Sequence, residues 1–306
     1  MTNGTSVSLQ DSGLGGEVLA WVDVLHEGPV PAGLNTDELR RIRGRFLDSE
    51  WPGESSARDE LARRDAALDD FVRHDEVVLW FEHDLYDQLQ LIQILDRLRG
   101  RVLLEQASGL RRLSLICIDR YLGGLTGAQL AALWPERGAV TPGALDLGAA
   151  AWRAFRSPDP MQIEKLLRGD TSALPFLDGA LRRHLQQFPS TENGLARTEQ
   201  QILELVGAGK RTFAALFRAD QELEERVFMG DTTFRRYLQG LAECRRPLLE
   251  DRNGEYHHTA AGAEVLAARA DHVHQSGINR WLGGVHLCGN EALWRWDARA
   301  RCLVAH

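Results

Sequence analysis

Apolar positions in the first two-fifths of the chain alternate between two periods. Residues 16–24 (GEVLAWVDV), 76–81 (EVVLWF) and 112–118 (RLSLICI) are short apolar runs rich in β-branched and aromatic side chains, and they predict strands. Residues 36–47, 55–72 and 84–98 carry apolar positions at helical spacing instead, the last through Leu85, Leu89, Ile92 and Leu95, with Gly100 at its end. Strands that alternate with helices predict a parallel sheet, so residues 1–125 are expected to form a short Rossmann-like α/β domain.

The pattern then turns helical. Helices are expected over 126–134, 142–155, 160–167 and 174–187, with Thr141 as N-cap and Pro142 at the first helical position. These make residues 126–190 a helical segment packed on the sheet domain, closed by a polar, proline-bearing linker at 188–194 (FPSTENG). Beyond it come three helices (198–206, 212–224 and 231–244), then a strand (247–250), an Asn253-Gly254 turn and a strand (255–258). That order describes a winged-helix-like α+β domain over 191–306. A helix at 260–270 and two further strands, 278–287 and 293–297, complete it.

Composition excludes several classes. With 43% hydrophobic and 26% charged residues over 306 positions, the chain is ordinary globular material with enough length for two cores. No apolar run approaches the roughly 20 residues of a membrane span, and the first residues lack the charged and apolar regions of a secretory signal, so a cytoplasmic protein with no membrane partner is expected. Cys117, Cys244, Cys288 and Cys302 show no CxxC spacing and read as free thiols. The net charge of −8 argues against a protein that coats nucleic acid. From Thr191 onward 15 Lys+Arg face 16 Asp+Glu, so Arg235, Arg236, Arg245 and Arg246 on or beside the third helix stand in neutral surroundings. DNA binding is therefore disfavoured there, and packing or homodimerisation is preferred.

Candidate chemistry is confined to two acidic histidine clusters, Leu25-His26-Glu27-Gly28-Pro29 and Glu82-His83-Asp84-Leu85-Tyr86-Asp87-Gln88, each directly after a predicted strand. Neighbouring parallel strands would bring both to the carboxyl edge of the sheet, where open α/β sheets bind ligands. His26, Glu27, His83 and Asp84 are the catalytic candidates, because imidazole beside carboxylate is the commonest acid/base pair. Gly28, Glu82, Asp87, Gln88 and Asp119, which follows the third strand, are candidates for holding substrate. Two other readings stay open. His26, His83 and Asp84 could ligate a divalent metal, and Asp84 with Asp87 could serve as helix N-cap and acidic first-turn residue.

The stretches Asn3-Gly4, Gly16 to Pro31, Leu79 to Leu89 and Arg280-Trp281-Leu282-Gly283-Gly284-Val285-His286-Leu287 give the chain a resemblance to a bacterial family catalogued as domain of unknown function 1835. The resemblance implies a Rossmann-like domain and brings no established activity. It also implies that Asn3 and Gly4 belong to a substrate-binding loop, although Thr5 stands where the family has aspartate, so that either the first strand is clipped or the start is misassigned. Taken together, these readings predict a hydrolase or group transferase acting on a small polar or nucleotide-like molecule. The rival is a metabolite-sensing regulator that uses its winged helix on DNA or to dimerise.

Overall fold

The computed structural model describes residues 8–107 and 113–305, and these divide into two compact units. The first runs to Ala180 and includes Gly283–Val285; the second comprises Leu181–Leu282 and the chain from His286 onward. Both helices and strands are present, as an α/β composition requires.

In the first unit the order is α1 (Thr36–Glu50), α2 (Ala57–Asp69), β1 (Val77–Glu82), α3 (Leu85–Ala107), β2 (Leu113–Ile118), α4 (Gly127–Leu133), β3 (Gly138–Ala139), α5 (Pro142–Arg156) and α6 (Met161–Leu167). β1 and β2 pair in parallel from Val77↔Leu113 to Glu82↔Ile118, so their carboxyl ends lie level, while β3 adds only two antiparallel pairs to β2. Trp80 and Ile116 on one face of this sheet form a core with Leu9, Leu122, Leu130 and Leu133.

Capping chemistry sets the helix starts. Asn35 accepts from Glu38 N and Glu38 returns the bond to Asn35 N at α1, Thr126 does the same with Gln129 at α4, and Thr141 accepts from Ala144 N ahead of Pro142 at α5. Gly100 does not end α3, which runs seven residues further. The roughly 1 kcal/mol cost of a helical glycine is offset by the buried face of that helix, from Leu85 through Val102. Gly148 lets α5 lie close to α3, since a Cβ there would come 2.6 Å from the Leu95 Cβ.

The predicted strand at 16–24 is corrected: among the described residues it joins no ladder. Trp21, Asp23 and Leu25 are buried and alternate with more exposed neighbours, so side chains alternate as in a strand without a backbone partner alongside. The sheet is therefore three-stranded.

The run 278–287, predicted as one strand, is also corrected. It is the greater part of a hairpin of β6 (Ile278–Leu282) and β7 (Val285–Gly289), turning at Gly283-Gly284. This turn is pressed against the end of α5: Gly284 N donates to Phe155 O at 2.9 Å, and Gly283 O accepts from Val30 N at 2.9 Å. A Cβ on Gly284 would lie 1.8 Å from the Arg156 carbonyl oxygen, and Gly283 has φ +61°. Gly284→Ala is accordingly expected to destabilise the protein by about 1–3 kcal/mol in urea unfolding, as overpacking against backbone does.

The second unit holds α8 (Arg197–Gly207), α9 (Phe213–Leu223), α10 (Asp231–Glu243), β4 (Leu249–Arg252) and β5 (Glu255–His258). It continues with α11 (Ala260–Leu266), α12 (His272–Ser276), β8 (Trp294–Asp297) and β9 (Cys302–Ala305); the boundary between the units falls within α7 (Leu177–Leu185). Asn253 and Gly254, both at positive φ, form the expected two-residue turn between β4 and β5. The stretch 188–194, predicted as a linker, is instead buried in part and bonded throughout. Thr191 N donates to Trp296 O, His272 N to Asn193 O, and Gly194 N to Ser190 O. Its proline and polar residues form a turn tied to β8 and the start of α12. No described helix is long and apolar enough to cross a membrane.

Candidate functional site

β1 passes into α3 through only His83 and Asp84, and that tight turn folds three carboxylates together. Asp84 Oδ1 accepts from Asp87 N at 3.1 Å, which places Asp84 as the cap of α3. Asp87 Oδ2 reaches back to accept from Glu82 N at 2.6 Å, and Glu82 Oε1 accepts from Leu122 N at 2.8 Å in the loop after β2. Gln88 Nε2 donates to Glu82 O at 2.6 Å and to Cys117 Sγ at 3.3 Å, locking the strand end to the first turn of the helix. Glu82, Asp84 and Asp87 are all buried, and one carboxylate oxygen from each lies within 4.8 Å of the others.

Such crowding changes their acidity. Burial, followed by the nearby Asp87 carboxylate, pushes Glu82 up to about 7. Asp84 is held well above the usual carboxylate range by burial, with Asp87 and Glu82 adding to the effect against its backbone hydrogen bonds. Burial likewise raises Asp87, and His83 opposes that rise. The Cys117 thiol, desolvated beneath the cluster, is pushed up to about 12 and stays protonated.

The first cluster reaches the same edge by packing, which corrects the expectation of two adjacent strands. His26 is buried with its ring edge-to-face on Tyr86 of α3, the centroids 5.9 Å apart. Tyr86 in turn feels Asp23, Asp87 and Asp84, and with burial as the largest cause these raise its phenol. Asp23 is fully buried and receives Arg43 through Nη2 at 2.6 Å and Nε at 3.2 Å. The same guanidinium donates to Glu27 O at 2.6 Å and Val24 O at 2.9 Å, so one arginine clamps the loop that carries His26. Gly28, at φ +74°, faces the Phe46 ring, which would lie 2.4 Å from a Cβ. Its role is close packing.

The remaining candidates separate. His83 is half-buried, its ring edge-to-face on Phe176 at 5.9 Å, and Glu27 contributes its carbonyl to the Arg43 clamp. Asp119 is exposed one residue beyond Ile118, which pairs with Glu82 across the sheet. Asn3 and Gly4 lie outside the described residues. Three participants were not predicted as site residues: Tyr86, Arg43 and the Leu122 amide. Tyr86 lay inside the quoted motif and could have been found there, whereas Arg43 and Leu122 are distant in sequence and carry no local signal.

Three arginines on or beside α10 are engaged by neighbouring residues. Arg235 stacks on Phe213 with its guanidinium carbon 3.7 Å from the ring centroid, Arg245 donates to Gln275 O at 2.8 Å, and Arg246 pairs with Glu264 at 3.4 Å. No protein-family profile, curated protein or solved structure matches this chain.

Proposed function

We propose that this chain is an enzyme, a hydrolase or group transferase that acts on a small polar or nucleotide-like molecule at the carboxyl edge of β1 and β2. The observation that carries this reading is the buried triad Glu82, Asp84 and Asp87. Three carboxylates so close in a desolvated site cannot all ionise alone; they share protons or surround a cation. Oxygen donors of this kind suit a hard divalent ion such as Mg²⁺ or Mn²⁺ better than Zn²⁺. Such an ion would polarise an oxygen of the substrate or lower the pKa of a bound water. The imidazoles of His83, beside Asp87, and His26, beside Tyr86, supply acid/base groups at the rim. The resemblance to the family of domain of unknown function 1835 belongs to this reading, since its two long motifs are the segments that build the site. So do a Rossmann-like origin for the sheet unit, a cytoplasmic setting, and a winged-helix-like second unit used for packing or dimerisation.

A screen of nucleotides and phosphate esters with Mn²⁺ tests it. Turnover is expected, and Asp84→Asn should reduce it by about 10²–10⁴-fold, on the scale of lost metal or acid/base assistance, while the fold is retained. Failure of Mn²⁺ to bind the full chain saturably at about pH 8, above the value of about 7 at Glu82, would remove the basis for the proposal.

A further inference from the structure

A polar cavity in the first unit is lined by none of the three triad carboxylates, although Asp23 and Arg43 of the clamp on the His26 loop form part of its wall. It encloses about 360 Å³ between the start of α1, the middle of α3 and the end of α5, within the size range of small-molecule sites. Most of the charge on its walls is already matched. Arg43 pairs with Asp23, Arg64 and Arg97 pair with Asp65, and Arg40 bonds to both Asp37 and Asp65.

Two wall groups are not matched in this way. Arg156 is fixed by donating to Pro31 O at 2.7 Å and Leu34 O at 3.1 Å, with its guanidinium 5.6 Å from the Trp152 ring centroid. Those bonds use Nε and Nη2 and leave Nη1, and among the described residues no carboxylate forms an ion pair with it. The Asp96 carboxylate, also on the cavity wall, makes no hydrogen bond and no ion pair among the described residues. It stands in the field of Arg153, Arg156 and Arg99 without touching them, and burial raises its pKa.

One positive and one negative group, which act on each other through the field without a direct ion pair, set the charge of the ligand. A simple anion would satisfy Arg156 and worsen Asp96; a simple cation would do the reverse. Within a lining that is otherwise mostly polar, Leu34, Leu39, Leu61 and the buried Trp152 supply the apolar surface. We propose that this cavity binds a small zwitterion of the α-amino-acid class, its carboxylate on Arg156, its ammonium on Asp96 and its side chain against Leu39, Leu61 and Trp152. The site is independent of the chemistry assigned to the triad.

Calorimetric titration of the full chain with L-leucine, L-methionine and L-phenylalanine tests this, with N-acetyl-leucine and leucine amide as ligands lacking one charge each. At least one free amino acid should bind saturably, and both blocked leucines should bind about tenfold or more weakly, as expected when a charged partner is lost in a desolvated site. Asp96→Asn should weaken the amino acid by a similar factor and leave N-acetyl-leucine unchanged or tighter, a pattern that general loss of structure would not give. Arg156→Lys, which keeps the charge, should weaken the amino acid and N-acetyl-leucine together. Binding of inorganic phosphate that strengthens in Asp96→Asn, equal affinity for free and blocked leucine, or no saturable binding by any of the three amino acids would overturn the proposal.

Discussion

Arg43→Ala is expected to cost the protein about 3–5 kcal/mol of stability, the range found when one partner of a buried ion pair is removed. Arg43 and Asp23 both have only 1% of their surface exposed. Taking away the guanidinium leaves the buried Asp23 without its ion-pair partner and releases the carbonyls of Val24 and Glu27. The loss should appear as a lower midpoint in urea with little change of slope. It should also loosen the loop that holds His26 against Tyr86, so any turnover at the triad should fall even at temperatures where the variant stays folded. A variant within about 0.5 kcal/mol of the parent, the scatter of ordinary surface substitutions, would show that the clamp does not organise this loop.

Without divalent cations, the contribution of Glu82 to stability is expected to decline as pH rises from about 4.5 to about 7. The sign follows from Glu82, whose pKa lies near 7 in the folded protein against 4.5 when unperturbed. Between those values the unfolded chain releases a proton that the folded state keeps, so unfolding gains with each step upward in pH. Glu82 alone contributes about 3 kcal/mol across that window, and Asp84 and Asp87 act in the same direction. Glu82→Gln can still accept from Leu122 N but has nothing to titrate, and its profile should be flatter. Mn²⁺ should reverse the decline, raising the melting temperature at about pH 8 and having little effect at about pH 5, because ligand carboxylates must be deprotonated. Identical pH profiles for parent and Glu82→Gln would show that the triad is not desolvated as described.

What could be read from the chain was what short-range chemistry determines. Thr141 with Pro142 starts α5, Asn253-Gly254 turns the β4–β5 hairpin, and the apolar run at 76–81 forms β1, because caps, turns and continuous apolar stretches act over a few residues. The segment 16–24 was misleading because a period of two reports which side chains are buried and is silent on whether another backbone lies alongside. Gly283-Gly284 was quoted as part of a strand, since the sequence cannot show that the Phe155 and Arg156 carbonyls crowd that spot. At the site, the acidic residues around His83 were visible as a group. The convergence with His26 comes not from a β-ladder but from the packing of its ring on Tyr86, with Arg43 clamping the loop that carries it.

The first unit is discontinuous, and this bears on how the chain matures. Gly283–Val285 belong to it, and Val30 and Phe155 bond to the glycines of that tripeptide. A ribosome must therefore pass the whole of α8 to α12 and reach Gly284 before the sheet unit can acquire its last backbone contacts. Fragments that stop after α7 would leave the Val30 amide and the Phe155 carbonyl facing solvent.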